Sequence, residues 1–283
     1  MKRLTKIFTI IIAVFAIATA SSAQDKLVNI SLGGGLHPLN YKTEVGTVSK
    51  GGGVLFGCNY MPFFTKNFGL GIGFDMNYNT ASAQINETFE SEIDNEEVGS
   101  SYTLRTIFKD WKEKESMLIL NIPLGIYGRA KLSTTTNFIY GVGVKVGMPV
   151  ISRYKMKEGS IETRAYFGDD LEAELKEIPH HGLFIDEEKR EGDIETNKIC
   201  TSIFAELMFT FTINNSNLFH MGLYFSDGVG DLAAHHESME GNNYHGIINS
   251  DLVDKCVPLC IGAKIGFSIL PSSGGSRGAS NKW

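Results

Sequence analysis

Four ionisable residues stand isolated in otherwise apolar, glycine-rich segments: Asp75, Lys145, Glu206 and Lys264. Two acids and two bases in such surroundings have one inexpensive solution, which is to neutralise each other, because an unpaired ion away from water is costly. Counted from the nearest turn, Asp75, Lys145 and Glu206 sit at similar depth, with Lys264 close by and Asn121 nearby. They predict a salt-bridge cluster inside a narrow bore, which would either fill the space or gate a small conductance.

Other constellations carry less. His180, His181, His235, His236 and His245 lie in acidic stretches, and imidazole with carboxylate suits transition ions. Adjacent histidines in an extended segment point to opposite sides, so no metal site is expected. Ser226, Asp227, His235 and Glu237 are loose candidates for acyl chemistry on lipid. Nothing in their spacing fixes a geometry, and the chain is not expected to be an enzyme. The glycines at 33–35, 51–53 and 69–73 fall within strands at period two or in short runs. A nucleotide fingerprint instead needs glycines in a turn that opens a helix, so no cofactor is expected. Cys58, Cys200, Cys256 and Cys260 are too scattered for a disulfide framework and are expected to be free thiols, with Cys200–Cys256 the one pair to test.

The elements that position the charged residues are strands. Phe68, Leu70, Ile72, Phe74, Met76 and Tyr78 alternate with Gly69, Gly71, Gly73, Asp75, Asn77 and Asn79. The same period-two pattern recurs over 138–150, 199–213, 219–226 and 257–267, and more weakly over 27–36, 53–62 and 117–128, which makes eight strands. The second face is mainly glycine. Glycine wastes a solvent face but fits the inside of a narrow eight-stranded tube, so the apolar face is assigned to lipid. Connections alternate between short (63–67, 129–137, 214–217) and long (37–52, 80–116, 152–198, 229–254). Aromatic residues gather near the short turns, including Phe63, Phe64, Phe68, Tyr127, Phe138, Tyr140, Phe211 and Phe219, as in an interfacial girdle. The expected fold is all-β: an eight-stranded antiparallel up-and-down transmembrane β-barrel with short periplasmic turns, long extracellular loops, a filled and mostly polar lumen, and both termini periplasmic.

The compartment follows from the first residues. Lys2, Arg3 and Lys6, an apolar run from Ile7 to Ala20, and Ser21-Ser22-Ala23 read as a signal peptide over residues 1–23. Residues 24–270 are then the barrel, and 271–283 a short Gly/Ser-rich periplasmic tail. The formal charge of −6 becomes −9 without the three signal cations, which leaves no electrostatic footprint for nucleic acid. Segments 80–116 (nine acids, four bases) and 152–198 (thirteen acids, eight bases) hold the excess, so the remainder is near neutral, as a bilayer demands.

The strands resemble the N-terminal barrel of the OmpA-like outer-membrane family. The resemblance rests on Leu120-Asn121-Ile122-Pro123-Leu124, on the run from Tyr140 to Pro149, on Pro179-His180-His181-Gly182-Leu183-Phe184, and on Tyr224-Phe225-Ser226-Asp227-Gly228. Cys260, Gly262, Ile265 and Phe267 are similar to the last-strand signal read by the barrel-assembly machinery. The family's peptidoglycan-binding domain is not expected in the short tail after residue 270, so its cell-wall tethering role is not carried over. The resemblance implies an outer-membrane protein whose partners are outer-membrane lipid and lipopolysaccharide, plus the assembly machinery during insertion. The expected function is non-enzymatic, in envelope integrity or surface interaction through a ligand the acidic loops do not reveal. The alternatives are a narrow diffusion pore or an accessory barrel of a secretion or surface-assembly system.

Overall fold

Alternation of apolar side chains with glycine leaves each strand unable to bury its larger residues alone, and pairing into a ring is how the chain satisfies its backbone. The computed structural model describes residues 25–95, 100–167, 173–178, 183, 185–186, 190–214, 216–235 and 244–270. The expected signal peptide, the tail at 271–283, and His180, His181, His236 and Glu237 lie outside the described residues. Eight strands carry the architecture: β1 (Asp25–Leu36), β2 (Gly52–Phe63), β3 (Phe68–Ile85), β4 (Ser100–Lys131), β5 (Thr136–Phe167), β6 (Cys200–Thr212), β7 (Asn217–Gly228) and β8 (Val257–Ile269). Each pairs antiparallel with the next, and β8 returns to β1 through a register running from Val28–Ile269 to Leu36–Ile261, so the eight close into a ring. There is no α-helix among the described residues, and no helix is long and apolar enough to cross a membrane.

Two sequence expectations are corrected and a third is completed. First, much of the expected long connections at 80–116 and 152–198 is strand. β3 is 18 residues long and β4 and β5 are 32 each, against 12 or 13 for the other five. Their upper halves stand above the ring as a charged hairpin sheet, joined by short strands at Thr47–Lys50, Thr88–Asn95 and Glu191–Asp193. The alternation there is of charged with mixed residues rather than apolar with glycine, and bulges reset it. Phe108 and Trp111 both point inward across a register shift at Lys109–Lys112, where Asp110 and the facing Gly159 adopt positive φ. A second shift beside Ile119 moves the outward face of β5 from even to odd positions at Ile151.

Second, Phe63 and Tyr127 are not girdle residues. Both are at most 2% exposed and point into the ring, because they share the odd positions of Leu55, Gly57 and Asn59 on β2 and of Asn121 and Gly125 on β4. Phe68, Tyr140 and Phe211 do face outward. The turn expected over 129–137 tightens to the four residues after Lys131.

Third, the polar lumen is capped by apolar side chains toward both ends, which the alternation alone does not show. The polar middle lies between two apolar seals. Toward the short turns, Met61, Phe63, Tyr127, Ile139, Phe204 and Met208 pack together. Toward the extended hairpin, Leu39, Trp111, Met117, Ile119, Ile247 and Ile248 belong to a larger cluster. The segment 244–253, expected as part of an open loop, folds inward to complete that cluster. Asn249 anchors it by accepting from the Glu195 N–H (2.8 Å) and donating to the Glu195 carbonyl (2.9 Å).

Outside, every strand of the ring presents bulky apolar side chains, among them Leu32, Val54, Phe74, Ile126, Val144, Leu207, Leu223 and Ile265, all more than 40% exposed. Both ends of the described chain lie beside the short turns, where Arg129 binds Asp25 at 2.7 Å and stacks 4.3 Å from the Phe63 ring centroid.

Candidate functional site

Five strands aim the five sequence-predicted residues into one bore: Asp75 from β3, Asn121 from β4, Lys145 from β5, Glu206 from β6 and Lys264 from β8. None is more than 7% exposed. The structure brings them together as two ion pairs. The Lys145 Nζ lies 2.7 Å from Asp75 Oδ2, and Asn121, the cross-strand partner of Asp75, donates from Nδ2 to Oδ1 at 2.8 Å. The Lys264 ammonium donates to Glu206 Oε2. Lys145 also lies 5.5 Å from the Phe204 ring centroid, within cation–π range. Both pairs line a single cavity of about 20 Å³, which has room for about one water molecule. The arrangement neutralises charge and fills much of the bore at this level.

Tyr127 shows how the glycines serve this packing. A Cβ at Gly71 would come within 2.2 Å of the Tyr127 ring, and one at Gly141 within 2.4 Å. Glycines on both neighbouring strands let one aromatic ring lie across the bore just below the ion pairs.

Above the ion pairs, His37 hydrogen-bonds through Nε2 with the Tyr224 hydroxyl at 2.6 Å. On the β1, β7 and β8 side, His220 bonds Ser268 at 2.7 Å and Ser31 at 3.3 Å. His220 falls on the second face of the period-two run at 219–226, whereas His37 follows the last residue of β1, where the alternation stops. Ser226 is buried, and His235 contacts Glu195 at 3.5 Å, so these two loose candidates are not assembled into a site. All four cysteines are free. No group of three or more His, Cys, Asp or Glu residues suited to a metal ion occurs among the described residues.

A second cluster lies in the extended region, and no sequence signal marked it. Glu113 and Glu115 point inward from β4 and are at most 1% exposed. Glu113 accepts hydrogen bonds from the Tyr244 hydroxyl and, at 3.0 Å, from the Ile247 N–H. Glu115 accepts from the Tyr41 hydroxyl at 2.6 Å, and its second oxygen has no partner. Trp111 donates to the Tyr244 oxygen at 3.1 Å, and Tyr154 packs edge-on against Tyr244. No cation pairs with either carboxylate among the described residues. Burial raises Glu113 to about 7, and burial with the neighbouring Glu113 charge raises Glu115 well above its ordinary range. The facing groups add no positive charge: burial and the two carboxylates push Tyr41 and Tyr244 upward, and burial with the Asp231 and Glu115 charges does the same to Cys256.

A pH prediction follows. Glu113 is protonated more readily in the folded protein than in the unfolded chain. Its contribution is therefore complete below about pH 4.5 and is lost as pH rises through about 7. The thermal midpoint of the detergent-solubilised protein is expected to fall between pH 5 and pH 8, and Glu113→Gln is expected to flatten that fall. An equally steep fall in the variant would assign it to other groups.

The fold and site together define a closed antiparallel barrel with an ion-paired interior. No family model and no curated protein sequence matches the chain. Among solved structures it is similar to Ail, the attachment invasion locus protein of Yersinia pestis, in complex with the heparin analogue sucrose octasulfate (11% identity, 87% of this chain and 99% of that one, TM-score 0.32). A second Ail structure gives 9% identity over the same shares at TM-score 0.33. The outer membrane protein OprG from Pseudomonas aeruginosa gives 10% identity over 88% of this chain and 96% of that one, at TM-score 0.37.

Proposed function

We propose that this chain is a non-enzymatic integral outer-membrane protein, a sealed eight-stranded barrel serving in envelope integrity or surface interaction. One observation carries the reading: bulky apolar residues cover the outside of all eight strands of a closed ring while ion pairs occupy its inside. In a water-soluble barrel that distribution would be reversed. The belt also has the right height. From Tyr140 to Val150 on β5 is about 11 residues, roughly 33 Å along the strand at about 3.3 Å per residue. A tilt of about 40° reduces this to about 25 Å, the height of a lipid-facing band. The charged hairpin sheet above it then projects outside the cell, and the short turns and both ends of the barrel face the periplasm. The last strand, β8, with Cys260, Gly262, Ile265 and Phe267, is the segment the assembly machinery would engage, and its pairing with β1 completes insertion.

Reconstitution into planar bilayers tests the sealed lumen. No steady conductance is expected from the unmutated protein, because the two apolar seals and the ion pairs leave no connected water. Sustained open channels would replace this reading with the narrow diffusion pore. Recovery of the mature protein in aqueous buffer without detergent would overturn the membrane assignment itself.

A further inference from the structure

Immediately above the apolar belt the outer face of β4 and β5 changes character within two residues, and the strand register places the change. The topmost belt row is Tyr78–Leu118–Ile151 across β3, β4 and β5. The next outward row is Thr80–Ser116–Arg153–Asp193, and the one above it is Ser82–Lys114–Lys155–Glu191. At about 3.3 Å per residue, Arg153 stands about 7 Å and the two lysines about 13 Å along the strands from the last lipid-facing side chains. Lipid phosphates occupy that zone.

The charges there are not self-satisfied. Lys114 and Lys155 face each other directly across the β4–β5 ladder, a like-charge pairing that destabilises a sheet unless an anion lies between the two. Lys114 and Lys157 have no ion-pair partner among the described residues. Glu191 holds Lys155 at 2.5 Å and Asp193 stands 3.7 Å from Arg153, but both acids lie on a three-residue edge strand and are 65% and 87% exposed. Such contacts are weak and readily exchanged. Lys114, Arg153, Lys155 and Lys157 against those two acids leave an excess of two positive charges on a chain that is acidic as a whole. These residues and Tyr78 border one groove of about 510 Å³, large enough for a phosphorylated sugar.

We propose that this groove binds the phosphate groups of a phosphorylated glycolipid in the leaflet around the barrel, with Lys114, Arg153 and Lys155 as the phosphate contacts. The lipid source is favoured over a soluble anion because the groove is continuous with the belt: a ligand whose acyl chains lie against Leu118 and Ile151 brings its headgroup to these cations without leaving the membrane. Arg153 supplies a planar fork for phosphate oxygens and the lysines supply point charges. Tyr78 sits at the level where an aromatic ring with a polar tip meets headgroups.

The inference rests on the membrane reading above, and its test separates the two. The full mature protein and the Lys114→Gln, Arg153→Gln, Lys155→Gln triple variant are placed in phosphatidylcholine nanodiscs. Each is titrated with diphosphorylated lipid A, with the dephosphorylated lipid, with inorganic phosphate and with dextran sulfate. The substituted side chains are exposed, so the variant is expected to insert normally. Binding of diphosphorylated lipid A is expected to weaken about tenfold or more in the variant, since each cation near a charged lipid surface contributes on the order of a several-fold factor. Removing the phosphates is expected to have a similar effect on the unmutated protein, with millimolar inorganic phosphate a poor competitor. Equal binding by protein and variant, both inserted, overturns the groove assignment alone. Equal or tighter binding of dextran sulfate or free phosphate overturns the lipid source. Failure of the unmutated protein to insert overturns the membrane reading instead.

Discussion

Lys264→Met is expected to lower the unfolding free energy of the barrel by about 3–5 kcal/mol, the usual cost of leaving one partner of a buried ion pair uncompensated. Glu206 is 7% exposed and its Oε2 accepts from Lys264, the one cation in contact with it; without the lysine, only the Tyr127 hydroxyl and the more distant Lys145 are left to offset its charge. The remaining options are to take up a proton or to admit water into a cavity of about 20 Å³, and both carry a cost. The double variant Lys264→Met, Glu206→Leu is expected to return to within about 1 kcal/mol of the unmutated protein, because an apolar pair of similar volume replaces a buried ion pair at little net cost. Urea unfolding in detergent micelles followed by circular dichroism measures both. A single variant as stable as the parent would mean that the pair is hydrated and that the bore is not sealed. The same logic applies to Lys145 and Asp75, with a smaller loss expected because Asn121 continues to donate to Asp75 after Lys145 is removed.

Gly141→Leu is expected to prevent stable closure of the ring, and Tyr127→Ala to restore much of it. Even a methyl group at position 141 meets the Tyr127 ring at 2.4 Å, and the ring has nowhere to retreat, since Gly71 on its other side is equally close. Overpacking by several methylenes in a filled interior costs about 1–3 kcal/mol or more, and here the obstruction lies at the ladder between β4 and β5, where Tyr127 pairs with Gly141. Removing the phenol opens the volume that the leucine needs. Folded yield after refolding into micelles reads the effect, and a Gly141→Leu protein that folds as well as its parent would show that the Tyr127 ring is free to leave the bore. The comparison Tyr140→Leu on the outward face of the same strand is expected to be nearly neutral, because that side chain is half exposed and a leucine is smaller than the ring that lies over Gly128.

The ion pairs were legible in the sequence because parity is legible. A lone charge in an alternating apolar strand must take the glycine face, and counting residues from the turns placed three such charges at similar depth with Lys264 close by. That the four form two pairs lining one cavity, with Asn121 bonded to Asp75 alone, depends on the stagger between strands, which no single segment encodes. The Glu113–Glu115 cluster was hidden for a different reason. Its strand alternates charge with charge, Lys112 and Lys114 outward against Glu113 and Glu115 inward, so composition reads it as solvated. Only the return of Tyr41 and of the segment at 244–253 makes that inner face dry.

From the chain itself came the antiparallel up-and-down order, the glycine-lined interior and the apolar outside, because each of these is a consequence of period-two patterning and connection length. Tertiary structure alone decided how far β3, β4 and β5 rise above the belt, since a strand continues wherever its hydrogen bonds find a partner, whatever its side chains. It also decided which way residues point beyond the bulges at Lys109–Lys112 and near Ile151, because one extra residue in a ladder reverses the facing of everything after it. The cationic row at Lys114, Arg153 and Lys155 exists as a row only through those registers: in sequence the three are parts of two acidic stretches, and in space they share one face at the edge of the belt.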